Sequence, residues 1–356
     1  MRIAVVLPRN MRYGPQGATS IDLCARDAAL HSRHRAGMSV ICEHGPGLFD
    51  DVPVATFRAR TTFGRAREIA GIARDLAPDL IVTHQHLPTA AGIAARLPDV
   101  PTLLYMHGMP RILGGLRRWL KARRHDRLAG LIFVSRAARD AFAALYPDVV
   151  ATSFVVPNGV DPAQWRLDGE RADEIVCVGR VEPEKRSLDI ALALADVLPE
   201  HPGWRARFVG PASRDPAYAR AFEAAIAACP AISWEGALPF ERMRDVLLRG
   251  RIAVVASRSE GFGRVAIEAF AAGLALISTR AGGLDEVIGD CAYPLARGDH
   301  DEIAQALRRL IADEALREDL GARGRTRFEA HFTIDAFASA FDEAVECVVS
   351  HRKIEE

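Results

Sequence analysis

Two glutamates eight positions apart, Glu260 and Glu268, stand in the run SRSEGFGRVAIEAFAAG at residues 257–273. The first sits in a glycine-rich turn and the second in the helical pattern that follows. Gly261 and Gly263 let the turn's backbone approach a ligand closely, and the turn amides with the helix N-terminus favour an anion. Upstream, the run GRVEPEK at residues 179–185 sets Arg180 and Lys185 five positions apart on a loop. Arginine forks across two oxygens while lysine acts as a compact charge, so the pair suits a phosphate group on which charge builds as a bond breaks. Taken singly, these are a surface turn, a helix glutamate and a solvated basic loop. Their order along the chain gives them weight.

Elements at fixed places must hold these groups. The β-branched run 251–256 reads as a buried strand, 264–272 as a helix stopped by Gly273, and 274–278 as another buried strand. Glu260 therefore falls where a parallel strand hands over to a helix, the ligand-binding end of an open α/β sheet. His107 follows the strand 102–106, and His84 and His86 end the strand before it, again at carboxyl ends. Strands are expected at 3–7, 39–42, 80–83, 102–105, 131–134 and 154–157. A second series is expected at 174–179, 207–209, 232–235, 252–256, 274–278 and 291–294. Helical patterns such as 21–31 and 66–76 lie between them. Two such βα series in 356 residues predict an α/β chain of two doubly wound, Rossmann-like domains. Residues 1–160 form the first and 161–335 the second. The polar segment 158–173 is the expected hinge, and a terminal helix covers 336–356.

Net charge is zero but unevenly placed: residues 1–170 carry 22 Lys+Arg against 15 Asp+Glu, and the rest carry 24 against 31. The two halves are thus expected to meet different partners. Six scattered cysteines with no C-x-x-C pair indicate free thiols rather than disulfides or a zinc site. The apolar run at the N-terminus is too short for a signal peptide, and no stretch is long and apolar enough to span a bilayer.

The turn Glu260-Gly261-Phe262-Gly263, the spacing to Glu268 and the G-R-x4-K run ending at Lys185 resemble the retaining GT-B glycosyltransferases of the E-x7-E type (glycosyltransferase family 4, "glycosyl transferases group 1"). The resemblance covers almost the whole chain. It implies a GT-B fold, with two Rossmann-like domains facing a cleft and a terminal helix crossing back to the first. The C-terminal domain would bind a nucleotide-diphosphate sugar and the N-terminal domain the acceptor. A hexosyl group would move to an acceptor hydroxyl with its anomeric configuration kept, with no metal and no other cofactor. Glu260 would hold the donor sugar's hydroxyls and Glu268 the ribose hydroxyls. Arg180 and Lys185 would bind the phosphates, and His107 would face the donor sugar near the reaction centre. Gly14 and Gly17 correspond to the family's glycine-rich loop, although GPQG departs from its usual adjacent glycines. Gly210 and Leu238 lie in loops that cradle the base, and Gly282, Gly283 and Glu286 match a G-G-x-x-E loop that orders the donor site. Two alternatives remain on this architecture. A nucleotide-sugar 2-epimerase would release nucleotide without an acceptor, and a non-catalytic nucleotide-sugar-binding protein would show no turnover.

His84 and His86 are candidates for the acceptor side. The segment 111–127, RILGGLRRWLKARRHDR, has seven Arg+Lys and one acid, with Ile112, Leu113, Leu116, Trp119 and Leu120 supplying an apolar side. Arg117, Arg118, Trp119, Lys121, Arg123 and Arg124 would then meet an anionic membrane surface or a lipid-linked sugar acceptor. The expected setting is the cytoplasm, at the inner face of a bacterial membrane, in lipopolysaccharide, exopolysaccharide or glycolipid synthesis. No nucleic-acid partner is expected. The triplet Asp299-His300-Asp301 directly precedes a helical pattern, so helix capping explains it better than a metal site.

Overall fold

Each apolar run becomes a parallel strand, because the helical stretch after it carries the chain back across the sheet. The computed structural model describes residues 1–15, 19–110, 114–149 and 151–355. They form two units, one of Met1–Gly159 with Ile334–Glu356 and the other of Val160–Thr333.

The first unit holds strands β1 (Ile3–Val6), β2 (Met38–Glu43), β3 (Val54–Phe57), β4 (Leu80–His84), β5 (Thr102–Met106), β6 (Gly130–Phe133) and β7 (Ser153–Val155). Their order is β3-β2-β1-β4-β5-β6-β7, all parallel, with Val5 of β1 in register with Val40 on one side and Val82 on the other. Its helices are α1 (Ser20–His31), α2 (Thr62–Leu76), α3 (Leu87–Ala94), α4 (Gly115–His125) and α5 (Arg136–Leu145). Ile41, Phe57, Ile69 and Ile81 pack in one apolar cluster, and Leu104, Leu131, Phe133 and Phe142 in another. Strand β3 was absent from the expected series. Its four residues lie at the sheet edge, mostly half-buried, and give no continuous apolar run.

The second unit holds β8 (Glu174–Val178), β9 (Arg205–Val209), β10 (Ile232–Trp234), β11 (Ile252–Val255), β12 (Ala275–Thr279) and β13 (Tyr293–Leu295), in the order β10-β9-β8-β11-β12-β13 and again all parallel. Its helices are α6 (Ser187–Val197), α7 (Pro216–Ala227), α8 (Phe240–Arg249), α9 (Arg264–Ala271), α10 (Gly283–Ile288), α11 (His300–Ala312) and α12 (Glu314–His331). The last helix of the chain, α13 (Ile334–Glu355), belongs to the first unit and packs on α1.

In each sheet the winding reverses once, between β1 and β4 and between β8 and β11. The crevices at the carboxyl ends of those strand pairs are where doubly wound sheets bind ligands. The division between the units falls within segment 158–173, the expected hinge, which belongs to the second unit from Val160 onward. Trp165 is buried, and the Arg171 guanidinium donates to the carbonyls of Leu248, Gly250 and Ala272.

Candidate active site

In the second unit, the loops after β8 and β11 meet at the winding reversal. Strand β8 runs into Gly179 at φ 152°, next to Gly210 at φ 147°, which follows β9. A Cβ on Gly210 would lie 1.9 Å from the Gly179 carbonyl oxygen, so only glycine fits this approach. The chain then passes Arg180, exposed and 3.6 Å from Glu182, and reaches Lys185, whose ammonium is paired with the Glu260 carboxylate. The same Glu260 oxygen accepts from Ser257 Oγ at 2.9 Å. Two backbone links fix the turn: Arg258 N donates to Glu184 O at 2.8 Å, and Gly283 N donates to Glu260 O at 2.9 Å. Thr279 Oγ1 on β12 holds Ser257 O at 2.7 Å. A cavity of about 50 Å³ is lined by Gly179, Lys185, Ser187 and Glu260, over an apolar floor that includes Phe208 and Val254. The structure thus brings together the two residues, 75 positions apart, that the motifs had singled out separately.

Helix α9 begins beside this pair without a side-chain cap. Gly263 precedes it at φ 95°, and a Cβ there would meet Leu284 Cδ1 at 2.6 Å. The positive end of the helix dipole there favours an anion. Glu268 lies one turn along α9, 3 % exposed, and accepts from Arg264 Nε at 3.0 Å as an i,i+4 pair. The ring of Phe262 points into the unit's interior against Phe332, their centroids 5.8 Å apart. Gly282 takes φ 61° and ψ −128°, a glycine-only conformation, and Glu286 lies on α10 with its carbonyl held by Arg327. Gly210 is tied to the loop after β10 through Gly210 N to Gly236 O at 2.7 Å. Leu238 lines a different cavity, with Arg207, Glu235 and Arg242. The Asp299 carboxylate accepts from Glu302 N at 3.1 Å as the cap of α11, and His300 bonds Asp196 at 2.7 Å.

In the first unit, His84 closes β4 with its ring buried, and its Nδ1 is 2.8 Å from His107 Nε2 at the end of β5. Among the described residues His84 Nε2 has no hydrogen-bond partner, and burial pushes the ring's pKa down to about 3. An orphaned buried N–H is rarer and more costly than an orphaned lone pair, so the proton belongs on Nδ1 and His84 donates to His107. Gln85, at φ 59°, accepts from His107 N at 2.8 Å, and Tyr105 stacks on His107 at 4.4 Å. His86 caps α3 by accepting from Thr89 N. Burial first, then the charges of Arg65, Arg9 and Arg124, lower its pKa to about 4. Gly14 is required by chain crossing, since a Cβ there would lie 2.4 Å from Gly47 O. Gly17 lies outside the described residues.

The basic segment forms α4 from Gly115; residues 111–113 and the side chain of Arg117 lie outside the described part. Trp119 is 50 % exposed with the Arg123 guanidinium 4.4 Å above its ring, and Arg118 and Arg124 are exposed. Lys121 sits 5.2 Å from the Tyr146 ring. Sequence reasoning missed Gln85, Tyr105 and the buried Arg65. Arg65 lies on the buried face of α2 with Ala66, Ile69, Ala70 and Ala73, a place that its residue type does not reveal in the sequence.

Two family profiles match the chain: "Glycosyltransferase Family 4" over residues 22–164 and "Glycosyl transferases group 1" over residues 163–327. The glycogen synthase of Mycobacterium tuberculosis is 28 % identical over 291 residues, 76 % of this chain and 69 % of that protein. A D-inositol 3-phosphate glycosyltransferase of Acidothermus cellulolyticus is 31 % identical over 217 residues, 54 % of this chain and 48 % of that protein. Among solved structures, Anabaena HepE in complex with UDP and glucose aligns with a TM-score of 0.81 at 17 % identity, over 98 % of this chain and all of that one. An α,α-trehalose-phosphate synthase (UDP-forming) from Burkholderia vietnamiensis aligns with a TM-score of 0.78 at 17 % identity, over 99 % and 98 %. At that identity the likeness is one of fold.

Proposed function

The chain is a glycosyltransferase of the group 1 and family 4 type, using a nucleotide-sugar donor, and from that premise we propose that it moves a hexosyl group to an acceptor hydroxyl with retention and without a metal ion. The observation that carries the reading is the Lys185–Glu260 pair, held by Ser257 where the winding of the second sheet reverses. A donor diphosphate brings more negative charge than a carboxylate and draws the Lys185 ammonium to itself. Glu260, still held by Ser257, then accepts from the sugar's hydroxyls. Arg180 turns from Glu182 to the phosphates, and the amides at the start of α9 face the same oxygens. Glu268, oriented by Arg264, takes the ribose hydroxyls, and His107 faces the sugar.

As the bond from the anomeric carbon to the phosphate oxygen breaks, a bond to the acceptor oxygen forms on the same face. The acceptor's proton passes to the departing phosphate. Cations fixed beforehand stabilise the charge that grows there, which is why no dedicated nucleophile is needed. The UDP complex of the Anabaena neighbour and the UDP-forming description of the trehalose-phosphate synthase make UDP-sugars the first donors to try. For the acceptor we propose a bacterial lipopolysaccharide, exopolysaccharide or glycolipid precursor at the inner membrane face. The exposed Trp119 with Arg118, Arg123 and Arg124 supports that reading.

Lys185→Ala should lose roughly 3–4 kcal/mol of transition-state stabilisation, or about 10²–10³ in rate. Turnover of the donor at the wild-type rate would refute the phosphate role. Product anomeric configuration by NMR, and activity after dialysis against a chelator, test retention and metal independence in the same preparation.

A further inference from the structure

At the carboxyl ends of β4 and β5 two imidazoles are locked together. His84 stands in register with Tyr105, and His107 follows two positions on. The ring planes of His84 and His107 differ by 13° and their centroids lie 5.0 Å apart, while Nδ1 of the first is 2.8 Å from Nε2 of the second. The rings are therefore joined edge to edge in nearly one plane, the geometry of a straight N–H···N bond rather than of face-to-face stacking. His84 is 1 % exposed and offers a substrate no surface of its own, so whatever it does for the reaction passes through His107. Two neighbours hold His107 as well. Tyr105 lies against its ring with centroids 4.4 Å apart, and the Tyr105 hydroxyl donates to Val156 O at 2.6 Å. The Gln85 side chain accepts from His107 N at 2.8 Å, while Gln85 N donates to Tyr105 O at 2.8 Å. Gln85 does this from φ 59°, a left-handed backbone uncommon for glutamine.

The proton count in the pair follows from its buried side. His84 Nε2 meets no partner among the described residues, so a proton there would be a buried N–H without an acceptor. His84 therefore carries its proton on Nδ1 and gives it to His107 Nε2, which uses up that lone pair. A neutral His107 must then carry its own proton on Nδ1. Protonating His107 Nε2 as well would drive the His84 proton to the orphaned side, so the pair resists the cation too. We propose that His84 is a positioning residue that fixes His107 in the neutral, Nδ1-protonated form, so that His107 serves the reaction as a hydrogen-bond donor and not as a base. This rests on the reading of His107 as facing the donor sugar. In that form the imidazole donates to a sugar oxygen from Nδ1 and has no lone pair left to take the acceptor's proton. The departing phosphate is then the group that takes it, and the Gln85 and Tyr105 contacts keep the ring from turning.

Imidazole nitrogen–proton correlation NMR of the isotope-labelled full chain at neutral pH reads the tautomers, with His107→Asn and His84→Asn supplying the assignments. His84 and His107 should each carry one proton, on Nδ1. A proton on His107 Nε2 overturns the proposal. Two variants then separate positioning from structure. Asparagine at 84 sets an amide N–H where Nδ1 stood, and leucine removes the donor at similar volume. Release of nucleotide from UDP-, GDP- and ADP-glucose is followed in each. His84→Leu should lower kcat about tenfold or more with little change in the donor KM, and His84→Asn should keep kcat within about threefold of the wild type. Equal losses in the two variants, a loss carried by KM alone, or full activity in His84→Leu would overturn the proposal. Should His84→Leu fail to fold in a thermal melt, His84→Asn decides: His107 should keep its Nδ1 proton there together with the activity, and loss of either is contrary. No nucleotide release by the wild-type chain from any of the three donors defeats the donor reading, and the catalytic role of His107 with it. A proton on His107 Nε2 in a chain that does release nucleotide is a failure of this proposal alone.

Discussion

At the residue scale, three histidines of the first unit are held neutral by burial: His84 with a pKa of about 3, His86 and His125 at about 4. Each folded value lies below the unfolded one near 6.5, so the unfolded chain binds more protons under acid conditions. Their stabilising share is complete above pH 6.5 and is lost as pH falls toward 4, on the order of 3 kcal/mol for His125 alone. His125 is enclosed by Phe142 and Tyr146, and neither ring nitrogen has a hydrogen-bond partner among the described residues. His125→Leu, close in volume, should therefore raise stability by about 1 kcal/mol at neutral pH and by more at pH 5. Urea unfolding at the two pH values checks this; an equal or lower midpoint in the variant at pH 5 would count against it. Neither His125 nor Arg65 was legible in the sequence. One polar residue on a helix gives no sign of burial until the element that covers it is known, α5 for His125 and α3 for Arg65. Lys185 and Glu260 were legible because each follows a recognisable strand and so must stand at a carboxyl end.

At the element scale, α9 carries Glu268 and owes its seat to α12. Two glycines on α12 allow the approach: a Cβ on Gly324 would lie 2.4 Å from Phe270 Cδ1, and one on Gly321 2.5 Å from the Gly273 carbonyl oxygen. Phe270 is fully buried and has no room to yield. Gly324→Ala should cost about 1–3 kcal/mol as an overpacked core. Because the shift moves α9, it should also raise the KM for the donor more than it lowers kcat. Steady-state kinetics with a thermal melt test this, and unchanged stability with unchanged KM would contradict it. The glycine-rich turn and the bounds of α9 could be read from the pattern RVAIEAFA ending near Gly273. The α9–α12 contact could not, since glycines inside a long helix state nothing about what crosses them. Strand β3 escaped for a related reason: edge strands need only one buried face, and four residues are too few to show an alternation.

At the scale of the whole chain, the last helix returns to the first unit, and a buried carboxylate fastens it. Asp342 on α13 accepts from Ser32 Oγ, from Arg33 N at 2.9 Å and from Arg33 Nε at 3.2 Å, at the end of α1. Glu346 adds His34 at 2.8 Å. Asp342→Ala leaves those donors without their acceptor and should cost about 2 kcal/mol. The loss should appear as faster hydrogen exchange in α1 and α13, with the strands β8 and β11 unchanged. Uniform protection in the variant would mean that the contact holds nothing. The division into two doubly wound series was legible from the alternation of apolar runs and helical patterns. The boundary was legible as well, expected after residue 160 and found after Gly159, whereas the polar composition of segment 158–173 hid the anchoring roles of Trp165 and Arg171. The central claim is that Lys185 and Glu260 form the phosphate and sugar ends of one donor site. Calorimetric titration of UDP, GDP and ADP into the wild-type chain and into Lys185→Ala tests it most directly. One nucleotide should bind the wild type, with at least about tenfold weaker binding in the variant, the share of a charge-assisted contact. Equal affinity in both chains, or no binding by any of the three, would contradict the account.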